Sequence, residues 1–143
     1  MTSRAVLDTS AVLAVVFDEP GAEVVVEYGT SAILSAVSYS EILAKATDRG
    51  LPPDEVSRVL ASLRYPVVPF DDEHAVVAAS FRPSTRHLNC SFADRACLAT
   101  GLLHRLPVVT ADRDWATVDL GVEVVVFREG RPGGRRKGSG NDQ

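Results

Sequence analysis

Ala5-Val-Leu-Asp8-Thr-Ser-Ala-Val12 decides the fold of this 143-residue chain. Three apolar residues of strand character run into a carboxylate. The residues after it take up helical spacing at once, with Val12, Val15 and Val16 on one face. A strand that feeds straight into a helix opens a β-α-β unit. In open α/β sheets, sites collect beyond the carboxyl ends of the strands, and Asp8 stands at such an end.

The same alternation continues outward from this stretch. Asp18-Glu19-Pro20-Gly21 breaks the first helix, a short helix with Val24, Val25 and Tyr28 on one side runs to Gly29, and residues 32–35 read as a second strand. From Ser38 the period is helical, through Tyr39, Ile42, Leu43 and Ala46, with Gly50 closing it and Glu41 in its first turn. Pro52-Pro53 opens a helix striped by Val56, Val59, Leu60 and Leu63. Val67-Val68, between Pro66 and Pro69, is a short strand or an extended connection. Asp71 caps a helix reaching about residue 81, and residues 82–89 read as a polar loop. Ser91 starts a helix with Asp94 in its first turn and a face of mostly small residues, Ala93, Ala96, Cys97, Thr100 and Leu103. Val108-Val109 is a third buried strand, ending on Thr110-Ala111-Asp112-Arg113-Asp114-Trp115, and residues 123–127 form the last strand. Strands alternating with helices predict an α/β fold of three α/β/α layers around a central, mostly parallel sheet.

The chain's length suits one domain, placed at residues 1–127, and residues 128–143 form a Gly-rich basic tail, expected to be a flexible extension. With 45% hydrophobic and 24% charged residues the composition is that of a soluble globular protein. No apolar run approaches the roughly 18 residues needed to span a bilayer, which argues against a membrane role. The start lacks the pattern of a secretory signal, so a cytoplasmic location is expected. The tail holds five basic and two acidic residues, a surplus of three, so the body carries −7 of a chain total of −4. An acidic body does not grip nucleic acid by charge alone, and any such function requires a bound cation or local basic patches. Cys90 and Cys97 make neither a disulfide framework nor a zinc pattern with His74, His87 and His104, and both read as buried small hydrophobes. Arg95 and Arg113 lie near the acids but read as solvated or paired, and Trp115 and Phe127 as core aromatics.

Four acids recur at one kind of place: Asp8 after the first strand, Glu41 and Asp94 in helix first turns, and Asp112 after the third buried strand. Each has a local explanation. Ser38 with Glu41, and Ser91 with Asp94, have capping-box spacing, Asp8 can cap its own helix, and first-turn acids suit the helix dipole. Together they are harder to explain locally, because a parallel sheet lines its strand ends and helix N-termini along one edge. Carboxylates crowded there repel one another, which raises their pKa values or demands a hard, oxygen-loving cation such as Mg²⁺ or Mn²⁺.

The chain resembles a PIN domain, and its size and helix content look like the toxin of a VapBC-type toxin-antitoxin pair. The segments that carry the resemblance are Val-Leu-Asp-Thr-Ser-Ala-Val-Leu-Ala with Asp8, Val-Ser-Tyr-Ser-Glu-Ile with Glu41, Ala-Asp-Arg-Ala-Cys-Leu-Ala with Asp94, and Val-Val-Thr-Ala-Asp-Arg-Asp-Trp with Asp112. They cover roughly residues 4–127 and hold their order and spacing. The resemblance implies a metal-dependent endoribonuclease with Asp8, Glu41, Asp94 and Asp112 as its acidic quartet. Asp8, Asp94 and Asp112 are assigned to Mg²⁺, or Mn²⁺, and Glu41 to completing the shell or positioning the attacking water. Thr110 matches the hydroxyl residue that helps order such a site, Ser10 is placed to orient a ligand or water, and Asp114 is either a fifth acid or a cap of the turn before Trp115. It also implies an RNA substrate, a homodimer and a VapB-like antitoxin, whose groove is sought on the helical pair at residues 38–63. The competing reading is a non-catalytic PIN-like module that holds RNA or protein without cutting, against which the intact quartet argues.

Overall fold

β1 (Ala5–Leu7) lies at the centre of a five-stranded sheet with β2 (Ala32–Ser35) and β3 (Val67–Val68) to one side and β4 (Val108–Thr110) and β5 (Val124–Val126) to the other. The structure, a computed structural model, describes residues 4–129. Every pairing is parallel, with Val6 opposite Ile33 and Val108, Ser35 opposite Val68, and Thr110 opposite Val126. All five carboxyl ends therefore point to one edge.

The strands are apolar on both faces because both faces are covered. Side chains alternate: Ala5, Leu7, Ala32, Leu34 and Val109 enter one core, and Val6, Ile33 and Val108 the other. The first core is roofed by α1 (Thr9–Phe17), α2 (Ala22–Val26), α3 (Ala36–Asp48) and α4 (Pro53–Leu63), through Val12, Val25, Ile42 and Val56, each fully buried. The second is roofed by α5 (Asp72–Ser80), the short α6 (Arg82–Thr85) and α7 (Phe92–His104), with Ala78, Phe81, Leu98 and Trp115 inside it. The small-residue face of α7 lets it lie close on the sheet. At Gly101 a Cβ would come within 2.5 Å of Val108 Cγ2, so no larger residue fits there without movement. The three layers expected from the sequence are those observed.

Three local expectations change. α3 starts at Ala36, earlier than expected, because the hydroxyl of Ser35 caps it by accepting from Val37 N at 3.1 Å. The strand thus hands over to the helix without a loop, Glu41 falls in the second turn, and Ser38 is fully buried instead of capping. Residues 82–89 are not a loop but α6 and a 3₁₀ turn (Arg86–Leu88). Pro83 is tolerated in a helical first turn, and burial of Thr85 and Leu88 holds the segment down. Arg128, placed at the head of the tail, docks on the body, donating to Pro20 O at 3.1 Å and facing Glu19 Oε1 at 3.4 Å. The rest of the tail, residues 130–143, lies outside the described residues.

Candidate functional site: an acidic edge tied together by hydroxyls

Because the strands are parallel, β1 delivers Asp8, and β4 Asp112, to the same edge. α3 leaves that edge from Ser35 and carries Glu41. α7 begins there with Asp94, since it returns antiparallel to the strands to enter β4. Asp8 is only 6% exposed, an unusual place for a carboxylate. Its Oδ2 accepts from Ser10 Oγ at 2.8 Å and from Thr110 Oγ1 at 2.9 Å. Each hydroxyl is in turn held by a backbone N–H of the β4 exit, Ser10 Oγ by Ala111 N at 3.0 Å and Thr110 Oγ1 by Asp112 N at 3.0 Å. A donor-acceptor chain therefore runs from Asp8 to the backbone of Asp112. The cap that Asp8 was free to make on α1 is not formed by its side chain.

Glu41 is held from α1, where Thr9 Oγ1 donates to its Oε1 at 2.6 Å. Lys45 Nζ stands 3.9 Å from its Oε2 but is more than half exposed, which makes that ion pair weak. Thr9 was not singled out from the sequence. A threonine after an acid resembles any helix start, and its partner is 32 residues away. Asp94 does form the capping box foreseen for it, accepting from Ser91 N at 2.8 Å while Ser91 Oγ accepts from Asp94 N at 3.1 Å. Asp112, not Asp114, caps the turn Arg113–Thr117, its Oδ1 accepting from Asp114 N at 2.9 Å.

The electrostatics show which acids share a neighbourhood. Burial raises the carboxyl of Asp8 above its usual range, against the pull of the Ser10 and Thr110 hydroxyls. Burial pushes Asp94 up to about 6, and the charges of Asp8 and Glu41 add to it. Cys97, fully buried one turn along α7, is raised by burial first and then by Asp8, Asp94 and Glu41. Cys90 is pushed to about 11 by burial, with Asp94 and Asp112 contributing. Both cysteines are thus protonated hydrophobes beneath the acids, as expected from their number and spacing. Arg95 donates from Nη1 to Cys90 O at 2.9 Å. His74 is buried and bonds Asp71 Oδ1 through Nδ1 at 2.7 Å, and Trp115 and Phe127 are core residues.

Among the described residues, no three His, Cys, Asp or Glu side chains converge as a ready metal cage. The geometry supplies the reason: Asp94 and Asp112 are each turned onto a local backbone N–H, and Glu41 onto Thr9. The donor set nonetheless fits a hard divalent ion. It is all oxygen, Asp94 feels the charges of Asp8 and Glu41, and Asp94 and Asp112 each engage a single carboxylate oxygen in those bonds.

A small three-layer α/β/α domain with an acidic carboxyl edge defines the class. The PIN domain family model matches residues 5–120, and the chain belongs to the PIN domain family. None of the curated proteins compared matches it. Among solved structures it is similar to a toxin-antitoxin complex from Klebsiella pneumoniae, at 20% identity and a TM-score of 0.70 over 87% of this chain and 98% of that one. A DNA-bound VapBC from Salmonella typhimurium aligns at 18% identity and a TM-score of 0.69, covering 86% and 97%. VapBC-5 from Mycobacterium tuberculosis aligns at 24% identity and a TM-score of 0.57, covering 89% and 99%. At these identities the likeness is one of fold.

Proposed function

We propose that the chain is a VapC-type toxin, a Mg²⁺- or Mn²⁺-dependent endoribonuclease of a type II toxin-antitoxin pair. The observation that carries the reading is the buried Asp8, held by two hydroxyls, whose negative charge together with that of Glu41 disfavours the ionised form of Asp94, a cost that a cation at the site would relieve. Asp8, Asp94 and Asp112 are the residues that would hold the ion. A divalent ion held by them would supply a lowered pKa for a coordinated water and charge relief at phosphate oxygens. Glu41, fixed by Thr9, orients the attacking water or completes the shell. Ser10 and Thr110 aim Asp8 and favour its charged form against the opposing effect of burial. The cation also offsets the acidity of the body toward a polyanionic substrate.

Partners follow from the same reading: an RNA substrate in the cytoplasm, a VapB-like antitoxin and a homodimer. Among the described residues no helix is long and apolar enough to cross a membrane. The antitoxin groove sought on residues 38–63 loses support, because Ile42, Ala46, Val56 and Leu60 are buried in the first core and Tyr39, Leu43 and Leu63 pack against it.

The test is incubation of the purified chain with total cellular RNA and Mg²⁺ or Mn²⁺, beside Asp8→Asn and an EDTA control. Discrete cuts are expected that disappear with EDTA and fall at least about 100-fold in a folded Asp8→Asn protein. RNA held but uncut by the wild-type protein identifies a binding module instead, and cleavage that survives both controls removes the acidic site from the reaction.

A further inference from the structure

We propose that the cleft between α5 and the start of α7 is a subsite for one unpaired nucleobase of the RNA, stacked on Phe92. The assignment rests on the nuclease reading above. The cleft holds about 130 Å³ and is lined by Phe70, Ala75, Ala78, Ala79, Phe92 and Arg95. It is well below the roughly 300 Å³ at which drug-sized pockets begin, so it suits a single ring system rather than a length of polypeptide. Phe92 is 53% exposed, although it lies in the first turn of α7, two residues before Asp94. Phe70 meets it edge to face, 5.5 Å between centroids at 85°. That arrangement leaves at least one face of each ring uncovered by the other.

Position ties this cleft to the acids. Phe70 follows the carboxyl end of β3, and β3 runs parallel to the strands that deliver Asp8 and Asp112, so both features lie along one sheet edge. α7 joins them directly, with Phe92 on the cleft and Asp94 on the acidic site. In this arrangement a strand of RNA whose phosphate sits at the acids lays a neighbouring base on the aromatic pair. Single-stranded nucleic acid is bound in this way, by flat side chains taking bases next to cations that follow the backbone. Arg95 supplies the cation. It lines the cleft with its guanidinium steadied by Cys90 O, and a delocalised, weakly hydrated cation suits both π faces and phosphates. The alanines of α5 keep the space open. Stacking is tolerant of base identity, so the subsite favours unpaired over paired RNA more than one base over another.

The experiment uses the full chain with Asp8→Asn, titrated in Mg²⁺ with a fluorescent single-stranded oligoribonucleotide that spans a mapped cut, or of mixed sequence if none is mapped. Phe92→Ala, Phe92→Tyr and Ala79→Leu are added to that background. Binding is expected to weaken on the order of tenfold in Phe92→Ala and in the cleft-filling Ala79→Leu, and to persist in Phe92→Tyr. An abasic nucleotide at the stacked position should abolish the difference between the parent and its Phe92→Ala derivative. In the cleaving protein, Phe92→Ala should raise KM with little change in kcat. Equal binding by Phe92→Ala and its parent overturns the subsite and leaves the nuclease reading standing. Failure of the parent to bind any oligoribonucleotide, with no cleavage by the wild type, overturns both. A Phe92→Ala protein that changes oligomeric state in light scattering assigns the cleft to a second copy and overturns the subsite.

Discussion

Among the described residues, two hydroxyls and no basic side chain hold Asp8, and that choice matters for what the residue can do. An arginine there would neutralise the carboxylate and compete with a cation, whereas Ser10 and Thr110 lower the cost of its charge without cancelling it. Thr110 is the more consequential, since it reaches Asp8 across 102 residues of sequence and also accepts from Asp112 N, so it ties the Asp8 carboxylate to the backbone of a second acid. Thr110→Val keeps the shape and removes both bonds. RNA cleavage is expected to fall about 10–100-fold, the usual effect of losing a residue that orients a metal ligand. Stability should fall by about 1–3 kcal/mol for the buried groups left unpaired. Cleavage rates and urea midpoints read the two effects separately, and full activity in a destabilised variant would make Thr110 a purely structural residue.

At the scale of elements, the start of α3 is set by the strand before it. Two serines three residues apart, Ser35 and Ser38, both have the spacing of an N-cap, and only Ser35 serves. β2 ends on Ser35 in register with Val68, so its backbone is extended when the helix begins and its hydroxyl meets Val37 N. Ser38 is left with a buried hydroxyl lacking a partner among the described residues. The two alanine variants should therefore diverge. Ser35→Ala is expected to cost about 1 kcal/mol, while Ser38→Ala should be neutral or stabilising, because it removes a desolvated hydroxyl that gains nothing. Denaturant midpoints decide it, and the reverse order would return the cap to Ser38.

In the proposed nuclease, negative charge lies where a polyanion would bind, on a body whose net charge is −7 outside residues 128–143. A divalent ion that binds the folded chain and not the unfolded one adds stability as RT ln(1 + [L]/Kd), about 2.7 kcal/mol at a hundredfold excess over Kd. For a domain of this size the melting temperature rises by roughly 4 °C for each kcal/mol. Melting curves in increasing Mn²⁺ or Mg²⁺ should climb accordingly for the wild type and much less for Asp8→Asn. An equal rise in both would put the cation elsewhere on the surface.

Read alone, the sequence determined the layers, the parallel sheet and the buried cysteines, and it led to the expectation that Asp8, Glu41, Asp94 and Asp112 share one edge. Those conclusions rest on periodicity, on caps within three or four residues and on the rule that parallel strands end together, all of which are local or topological. Only the tertiary structure decided the bond from Thr9 to Glu41, the chain from Asp8 through Thr110 to Asp112, the helical turns at 82–88 and the meeting of Phe70 with Phe92. These depend on strand register and on how helices from distant parts of the chain settle on the sheet. No local pattern records that, because a threonine facing a carboxylate 32 or 102 residues away has the same neighbours in sequence as one facing water.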